Sequence, residues 1–509
     1  MSKQHQPIIV GLDIGTTKVV AIAGRKNEFG KLEILGYGKS ESNGVQHGVV
    51  LNIQQCVKSI NLAMADLMQS SPNLEINDVY VGIAGHHIKS LQTRGDRILS
   101  SSNEDDVIIT HKDIELLIKD QYKTCVAAGD QIIDIIPQEY TIDNIPDVRN
   151  PVGMPGVKIG ANFHVVTGNI NAIKNIRRCV DGAGLSTVDL VLQPIASAAA
   201  VITDEDLEAG VAIVDIGGGT TDIAVFHDGI LMHTAVIPFA GCNVTDDIKK
   251  GLGVLRNQAE AMKVQFGTVL PTEANPDAYI TIPGIRGLPP KEIKVQNLAA
   301  IIEARIAEII EFVQFQLKQN NLHQKLHGGI ILTGGGSMLK HIIQLTELKT
   351  GLNARIGKPN INLAGGQSEE LGNPMFATAI GLILRGYDDI ESGKTFHNLK
   401  GNTLYSVPEK PTYDPRVNYA QNQSQVYNAN IENSVSPVSQ YQKQLQEEID
   451  TTPVVEEKVE QPIVETKQEI QASIQHKNTL PLKDKFSKIF NNLRNSFEGF
   501  FDGGNDEKL

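Results

Sequence analysis

The stretch IVGLDIGTTKVVAIA at 9 to 23 and the stretch IVDIGGGTTDIAVF at 213 to 226 repeat one grammar: an apolar run, an aspartate, a turn of glycine and threonine, and a second apolar run. Each reads as a β-hairpin, and a single copy would mean a hairpin and little more. Two copies, with 202 residues between Asp13 and Asp215, imply a duplicated lobe and a cleft where the turns face each other. Glycine lets backbone N–H groups come close to an anion and adopt positive φ, and threonine hydroxyls add donors. Gly15, Thr16 and Thr17 on one side and Gly217, Gly218, Gly219 and Thr220 on the other would therefore clamp a polyphosphate. Asp13 and Asp215 would be repelled by phosphate and are expected to act through Mg²⁺ and its waters.

A third glycine cluster, GIILTGGGSMLKHI at 329 to 342, follows another apolar strand and is expected to open a helix. Free N–H groups at Gly334, Gly335, Gly336 and Ser337 could meet the sugar and phosphate of a nucleotide. The chain has no G-x-x-x-x-G-K-[ST], and GGGSML lacks the downstream features of a dinucleotide-binding unit. The nucleotide architecture is of another kind.

From residue 7 to about 392 strand-like and helical patterns alternate, which predicts an α/β core. No apolar run reaches the roughly 18 to 20 residues of a membrane span, and the start MSKQHQPIIV has no secretory stretch, so the chain is expected to remain in the cytoplasm. Cys56, Cys125, Cys179 and Cys242 are far apart in sequence and read as core fillers, and no histidine spacing suggests a metal site. The net charge of −13 argues against nucleic acid as a partner. From 395 to 478 the composition turns to Asn, Gln, Glu, Ser and Pro without period, which reads as a disordered tether spanning on the order of 50 Å.

Helical periodicity returns over 480 to 502. Leu482, Phe486, Ile489, Phe490, Leu493, Phe497, Phe500 and Phe501 fall on one stripe, flanked by Lys483, Lys485, Lys488 and Arg494. A helix docking on the protein itself would also show a stripe. Five phenylalanines with basic flanks after a long tether fit an interfacial anchor on anionic lipid better.

The glycine motifs are similar to those of the actin, Hsp70 and sugar-kinase superfamily: GLDIGTTKVV to its first phosphate motif, IVDIGGGTTDI to its second, ILTGGGSML to its adenosine motif. LQPIASAAAVI and FATAIGLIL resemble its two connecting helices, so the likeness covers residues 7 to 390. It implies an actin-like ATPase fold of two lobes around a nucleotide cleft, with ATP and Mg²⁺ as ligands. Lys18 would reach the β- and γ-phosphates, and Gly217 to Thr220 would cradle them from the opposite wall. QAEAMKVQFG resembles the A-E-x-x-K helix, which makes Glu260 and Lys263 candidates for the ribose and adenine edge. Gln193 falls where a residue orients the attacking water, or else it is a capping residue before Pro194. As a neutral group it predicts slow hydrolysis at most.

Within the superfamily, the segment 79 to 168, with VYVGIAGHHI and IPQEYTIDNIPDVRNPVGMPGVKIGANFHVVTG, resembles the extra subdomain of the bacterial FtsA family. IPFAGCNVTDDIKKGLGV is similar to that family's P-x-G-G-x-x-x-T-x-D-I-A-x-G-L run, and the amphipathic tail resembles its membrane-targeting helix. Ala240, Cys242 and the pair Gly160-Ala161 depart from the family pattern. The resemblance implies a division adaptor that binds ATP, forms actin-like filaments, links FtsZ to the inner face of the plasma membrane and recruits later division proteins. The FtsZ tail would bind the small subdomain at about 242 to 318, with Arg286 and Arg305 as candidate contacts or, alternatively, as solvated charges. A sugar kinase would need an aspartate base beside a sugar pocket, and the pilus-assembly relative PilM lacks the tethered membrane helix.

Overall fold

The computed structural model describes residues 6–99, 108–124, 126–283, 289–365 and 369–392. The stripe at 482 to 501, the tether at 395 to 478, Arg286 and Cys125 lie outside the described residues.

In the first lobe, β1 (Ile9–Ile14) and β2 (Lys18–Lys26) form an antiparallel hairpin whose register runs from Ile9 opposite Gly24 to Ile14 opposite Val19. Then come β3 (Leu32–Glu41), a miniature hairpin of β4 (Val45–Gln46) and β5 (Val49–Val50), α1 (Ile53–Ser70) and β6 (Asp78–Ile83). Every residue of β1 is buried, as a continuous apolar run covered on both faces should be.

After β6 the chain leaves the lobe to build an inserted subdomain. It comprises β7 (Lys89–Ile98), α2 (His111–Gln121), β8 (Asp130–Ile142), β9 (Ile145–Val148) and β10 (Lys158–Asn169), with sheet order β7-β10-β8-β9. Leu117 of α2 packs with Ile135, Ile159, Phe163 and Val165 in a core of its own. The chain re-enters the lobe through α3 (Ile170–Gly182) and β11 (Ser186–Leu192), completing a five-stranded sheet of order β11-β6-β1-β2-β3.

The second lobe follows α4 (Gln193–Val201) and α5 (Asp204–Ala209) and repeats the plan. β12 (Val211–Ile216) and β13 (Thr221–His227) form the matching hairpin, from Val211 opposite Phe226 to Ile216 opposite Thr221. β14 (Ile230–Ile237) comes next. α6 (Gly241–Leu252), α7 (Arg256–Phe266), β15 (Tyr279–Ile282), β16 (Lys291–Lys294) and the 25-residue α8 (Val295–Gln319) form the small side of this lobe. Its sheet is completed by β17 (Gly329–Thr333), α9 (Ile342–Thr350) and β18 (Ala354–Ile356), with order β14-β13-β12-β17-β18. Strand for strand this is the first lobe's order, so the duplication inferred from the two phrases extends to whole sheets.

α4 and the final helix α10 (Ala377–Glu391) cross between the lobes, as the connecting helices were expected to. At the crossing a β-carbon on Gly381 would run into the backbone of Ala196, so glycine sets their close approach. The inserted subdomain also reaches the second lobe. Ser90 Oγ donates to the Thr234 carbonyl at 3.1 Å, Gln92 Nε2 to Met232 at 3.3 Å, and Gln138 Nε2 to Leu231 at 2.6 Å. Gln138 falls at an irregularity in the β8–β10 register between Tyr140 and Pro137, where an extra residue re-aims a side chain. All three acceptors belong to β14, the edge strand of the second sheet.

Cys56 and Cys179 are buried fillers, as expected, while Cys242 is half-buried beside the second glycine turn. No described helix is long and apolar enough to cross a membrane, and no described group of three or more His, Cys, Asp or Glu could by itself hold a metal ion.

Candidate functional site

Each hairpin closes its turn in the same way. The Gly15 N–H donates to the Lys18 carbonyl at 3.0 Å, and the Gly217 N–H to the Thr220 carbonyl at 3.0 Å. The turns face each other and touch. A β-carbon on Gly218 would strike the Thr17 side chain, and one on Gly219 would strike Thr16. The first turn thus supplies threonines that lie against the bare backbone of the second. Between them is a narrow hollow of about 50 Å³, lined by both turns together with Asp13, Lys18, Gln193, Asp215, Gly334 and Gly335.

Three buried carboxylates meet there. Burial, reinforced by Asp215 and opposed by Lys18, raises Asp13 to about 6. Asp215 is also raised by burial, although Ser197 Oγ of α4 at 2.6 Å and Thr378 Oγ1 of α10 at 3.2 Å both donate to its Oδ2. Both crossing helices therefore hold this one carboxylate. The third, Asp222, is 3% exposed and is pushed up to about 8 by burial and by the negative charge of Asp215. Its Oδ2 accepts from Thr220 Oγ1 at 2.8 Å, while its Oδ1 is buried without a hydrogen-bond partner among the described residues.

Lys18 answers these carboxylates. Its ammonium donates to the Met375 carbonyl and lies 5.3 Å from the centre of the Phe376 ring, and burial lowers its pKa. Gln193 opens α4, and its Nε2 donates to Asp13 Oδ1 at 2.9 Å. Its side chain is therefore tied to the aspartate; the helix makes no side-chain cap.

The third glycine cluster differs from expectation in detail. After β17 it forms a single 3-10 turn, Gly335–Met338, and the α-helix begins only at Ile342. Gly334 adopts φ +79, a β-carbon there would also strike Asp215 and the Ile216 carbonyl, and its N–H donates to the Pro374 carbonyl at 3.3 Å. Ser337 turns inward, its hydroxyl donating to Gly334 at 2.7 Å. Gly336 packs on Ile216. The turn separates the narrow hollow from a second cavity of about 510 Å³, lined by Ser337, Met338, Lys358, Glu369 and Asn373.

Glu260 and Lys263 lie one layer behind the narrow hollow. Lys263 Nζ donates to the Gly241 carbonyl at 3.0 Å, Thr245 Oγ1 at 2.9 Å and Glu260 Oε2 at 2.8 Å. Gly241 and Cys242 in turn donate from their N–H groups to the carbonyls of Gly217 and Gly218. Arg305 on α8 is engaged by Asp247 Oδ2 at 2.6 Å and by Glu308, with its guanidinium 5.6 Å from the Phe239 ring.

Sequence reasoning missed Asp222, Ser197 and Thr378. Asp222 closes the very phrase GGGTTD, and its position at the start of a strand made it read as part of the hairpin. The other two sit in apolar helices and carried no signal.

The family model described as Cell division protein FtsA matches residues 212–381, and that described as SHS2 domain inserted in FTSA matches 85–167. The chain is 37% identical over 414 residues to the cell division protein FtsA of Pseudomonas aeruginosa, covering 81% of this chain and 97% of that one. It is 34% identical over 394 residues to the FtsA of Escherichia coli K12, covering 76% and 92%. Among solved structures, the PilM-PilN type IV pilus biogenesis complex superposes with a TM-score of 0.54 at 17% identity, covering 74% of this chain and 98% of that one, a likeness of fold.

Proposed function

The chain belongs to the FtsA family of cell division proteins and has the actin-like fold with the family's inserted domain, and on that premise we propose that it binds ATP with Mg²⁺ between the two glycine turns. The observation that carries this reading is the pair of facing turns over Asp13, Asp215 and Lys18. Asp13 and Asp215, both raised by burial, face a single lysine, and a buried Asp222 oxygen lacks a partner among the described residues. Such a donor set fits a hydrated divalent cation. Asp13 and Asp215 would hold Mg²⁺ through its waters, and the ion would neutralise phosphate charge.

Gly15, Thr16, Thr17 and Gly217 to Thr220 would cradle the phosphates, with Lys18 transferring from the Met375 carbonyl to a phosphate oxygen. Gly334, Gly335, Gly336 and Ser337 would separate the phosphates from the nucleoside, and Glu260 and Lys263 would support the second turn from behind. Gln193, bound to Asp13, orients water without abstracting its proton, so turnover is slow at most. Titration calorimetry with Mg-ATP tests this: binding heat is expected, and its absence overturns the reading.

The family places the chain at the division site among division-ring partners. In the finer reading, it polymerises in actin-like fashion, tethers FtsZ to the cytoplasmic face of the membrane and recruits later division proteins. The helix at 480 to 502, behind the tether 395 to 478, would lie in the lipid interface with its phenylalanines buried. One such tail binds reversibly, and a filament multiplies it by avidity. Deleting 482–509 is expected to release the protein from the membrane; retention would refute the anchor. For FtsZ, the small side of the second lobe is the proposed surface. Arg286 is one candidate contact; Arg305, with its guanidinium on Asp247 and Glu308, would have to exchange those partners for the FtsZ tail. Unchanged FtsZ binding by a folded Arg305→Gln variant removes that residue from the surface.

A further inference from the structure

The miniature hairpin of the first lobe ends in a two-residue turn, His47–Gly48, with φ of 47° and 75°. Both residues are left-handed, the conformation of a type I′ turn, where asparagine or glycine sits with least strain. A histidine there carries a conformational cost that its neighbours do not explain. Gly48 is required, because the Ala84–Gly85 backbone passes where its β-carbon would be. His47 meets no such constraint, so its side chain is the feature to account for.

That side chain crosses the cleft. Its Nδ1 lies 3.0 Å from the carbonyl oxygen of Gly219 in the second turn. A carbonyl only accepts, so Nδ1 carries the proton and donates it. On the same hairpin tip the Gly48 N–H donates to Thr16 Oγ1 of the first turn at 3.2 Å. Two adjacent residues of one turn thus grip both phosphate turns, one by the main chain and one by an imidazole. Thr16 and Gly219 are also the pair in direct contact across the hollow.

We propose that His47 is a positioning residue that clasps the second phosphate turn to the first and so sets the rate at which nucleotide leaves the cleft. The inference rests on the reading of the cleft as an ATP site. The two turns touch, so a triphosphate enters or leaves the cleft only when they part. Parting them draws Gly219 away from a hairpin anchored on Thr16, and the imidazole bond breaks with that motion. Entry needs the same parting, so the bond slows uptake as well as release, and a chase isolates the release step.

The test uses the full chain loaded with a fluorescent ATP analogue and Mg²⁺, chased with excess ATP. His47→Asn keeps a residue suited to the left-handed turn and loses the reach to Gly219. His47→Gly relieves the strain fully and removes the side chain. Both variants are expected to melt at or above the wild-type temperature and to release nucleotide about tenfold faster, the loss of one hydrogen bond on this turn. A residue with only a structural role would move stability and release in the same direction. Wild-type binding with unchanged release from both variants overturns the clasp alone. A wild-type chain that takes up no analogue overturns the reading of the cleft and the clasp with it.

Discussion

The two glycine turns are built on one hairpin frame and differ in what they present. The first carries Thr16, Thr17 and Lys18 as side chains directed at the cleft, while the second offers Gly217, Gly218 and Gly219 as bare backbone against which those threonines lie. Duplication supplied the frame, and divergence made one jaw fill the space that the other leaves open. Neither turn would serve with a second copy of itself: two threonine turns would collide, and two glycine turns would supply neither the threonines nor the lysine.

Breaking this complementarity should have the largest effect. Gly219→Val puts a branched side chain into the space of Thr16, and at about 1 to 3 kcal/mol for overpacking it should weaken Mg-ATP binding by roughly 10- to 100-fold or more. Adding Thr16→Gly should restore much of the loss; a double variant as weak as the single one in calorimetry would show that shape is not what matters. Lys18→Met removes the charged donor of the first jaw. A charge-assisted hydrogen bond contributes about 1.5 to 3 kcal/mol, so affinity should fall roughly tenfold or somewhat more while the fold persists by circular dichroism.

Asp222 sharpens the comparison from the second side. Its carboxyl is raised from 3.8 to about 8, so the native state holds a proton that the unfolded chain has released. Stability from this group therefore falls as pH rises from about 4 to about 8 and levels off above. Asp222→Asn should remove that slope, becoming more stable than the wild type at pH 8 by on the order of 1 kcal/mol or more, with the gap closing towards pH 4 in urea titrations. The smallest effect is expected at the inserted subdomain. Gln138→Ala loses a donor to the Leu231 carbonyl and should lower the urea midpoint by the equivalent of about 0.5 to 1.5 kcal/mol, with nucleotide affinity unchanged.

What the sequence made legible follows the range of the interactions. The two hairpins and the third glycine turn are written in contiguous residues, and apolar alternation around glycine is enough to place them. The repeated phrase implied a duplicated lobe, while the matching strand order of the two sheets depends on long-range pairing that no local pattern encodes. Asp222 was hidden in plain view, because in a strand start the same letter serves pairing or chemistry and only burial tells which. Ser197 and Thr378 act on Asp215 from helices 180 residues apart, a convergence no local pattern encodes. Ser337 was placed in the right turn, yet the short 3-10 geometry directs its hydroxyl back to Gly334. His47 could be read only from a backbone angle, which composition does not reveal.

The seam between the inserted subdomain and β14 has a further consequence. Ser90, Gln92 and Gln138 grasp main-chain oxygens, so that part of the attachment does not depend on side-chain identity, while His164 Nε2 lies 2.9 Å from the Thr234 hydroxyl. The seam can tolerate drift in Met232, of which it uses only the carbonyl, but a change at Thr234 would cost the His164 contact. It also occupies carbonyls that an exposed sheet margin would otherwise offer to a stray strand, a safeguard against edge-to-edge accretion.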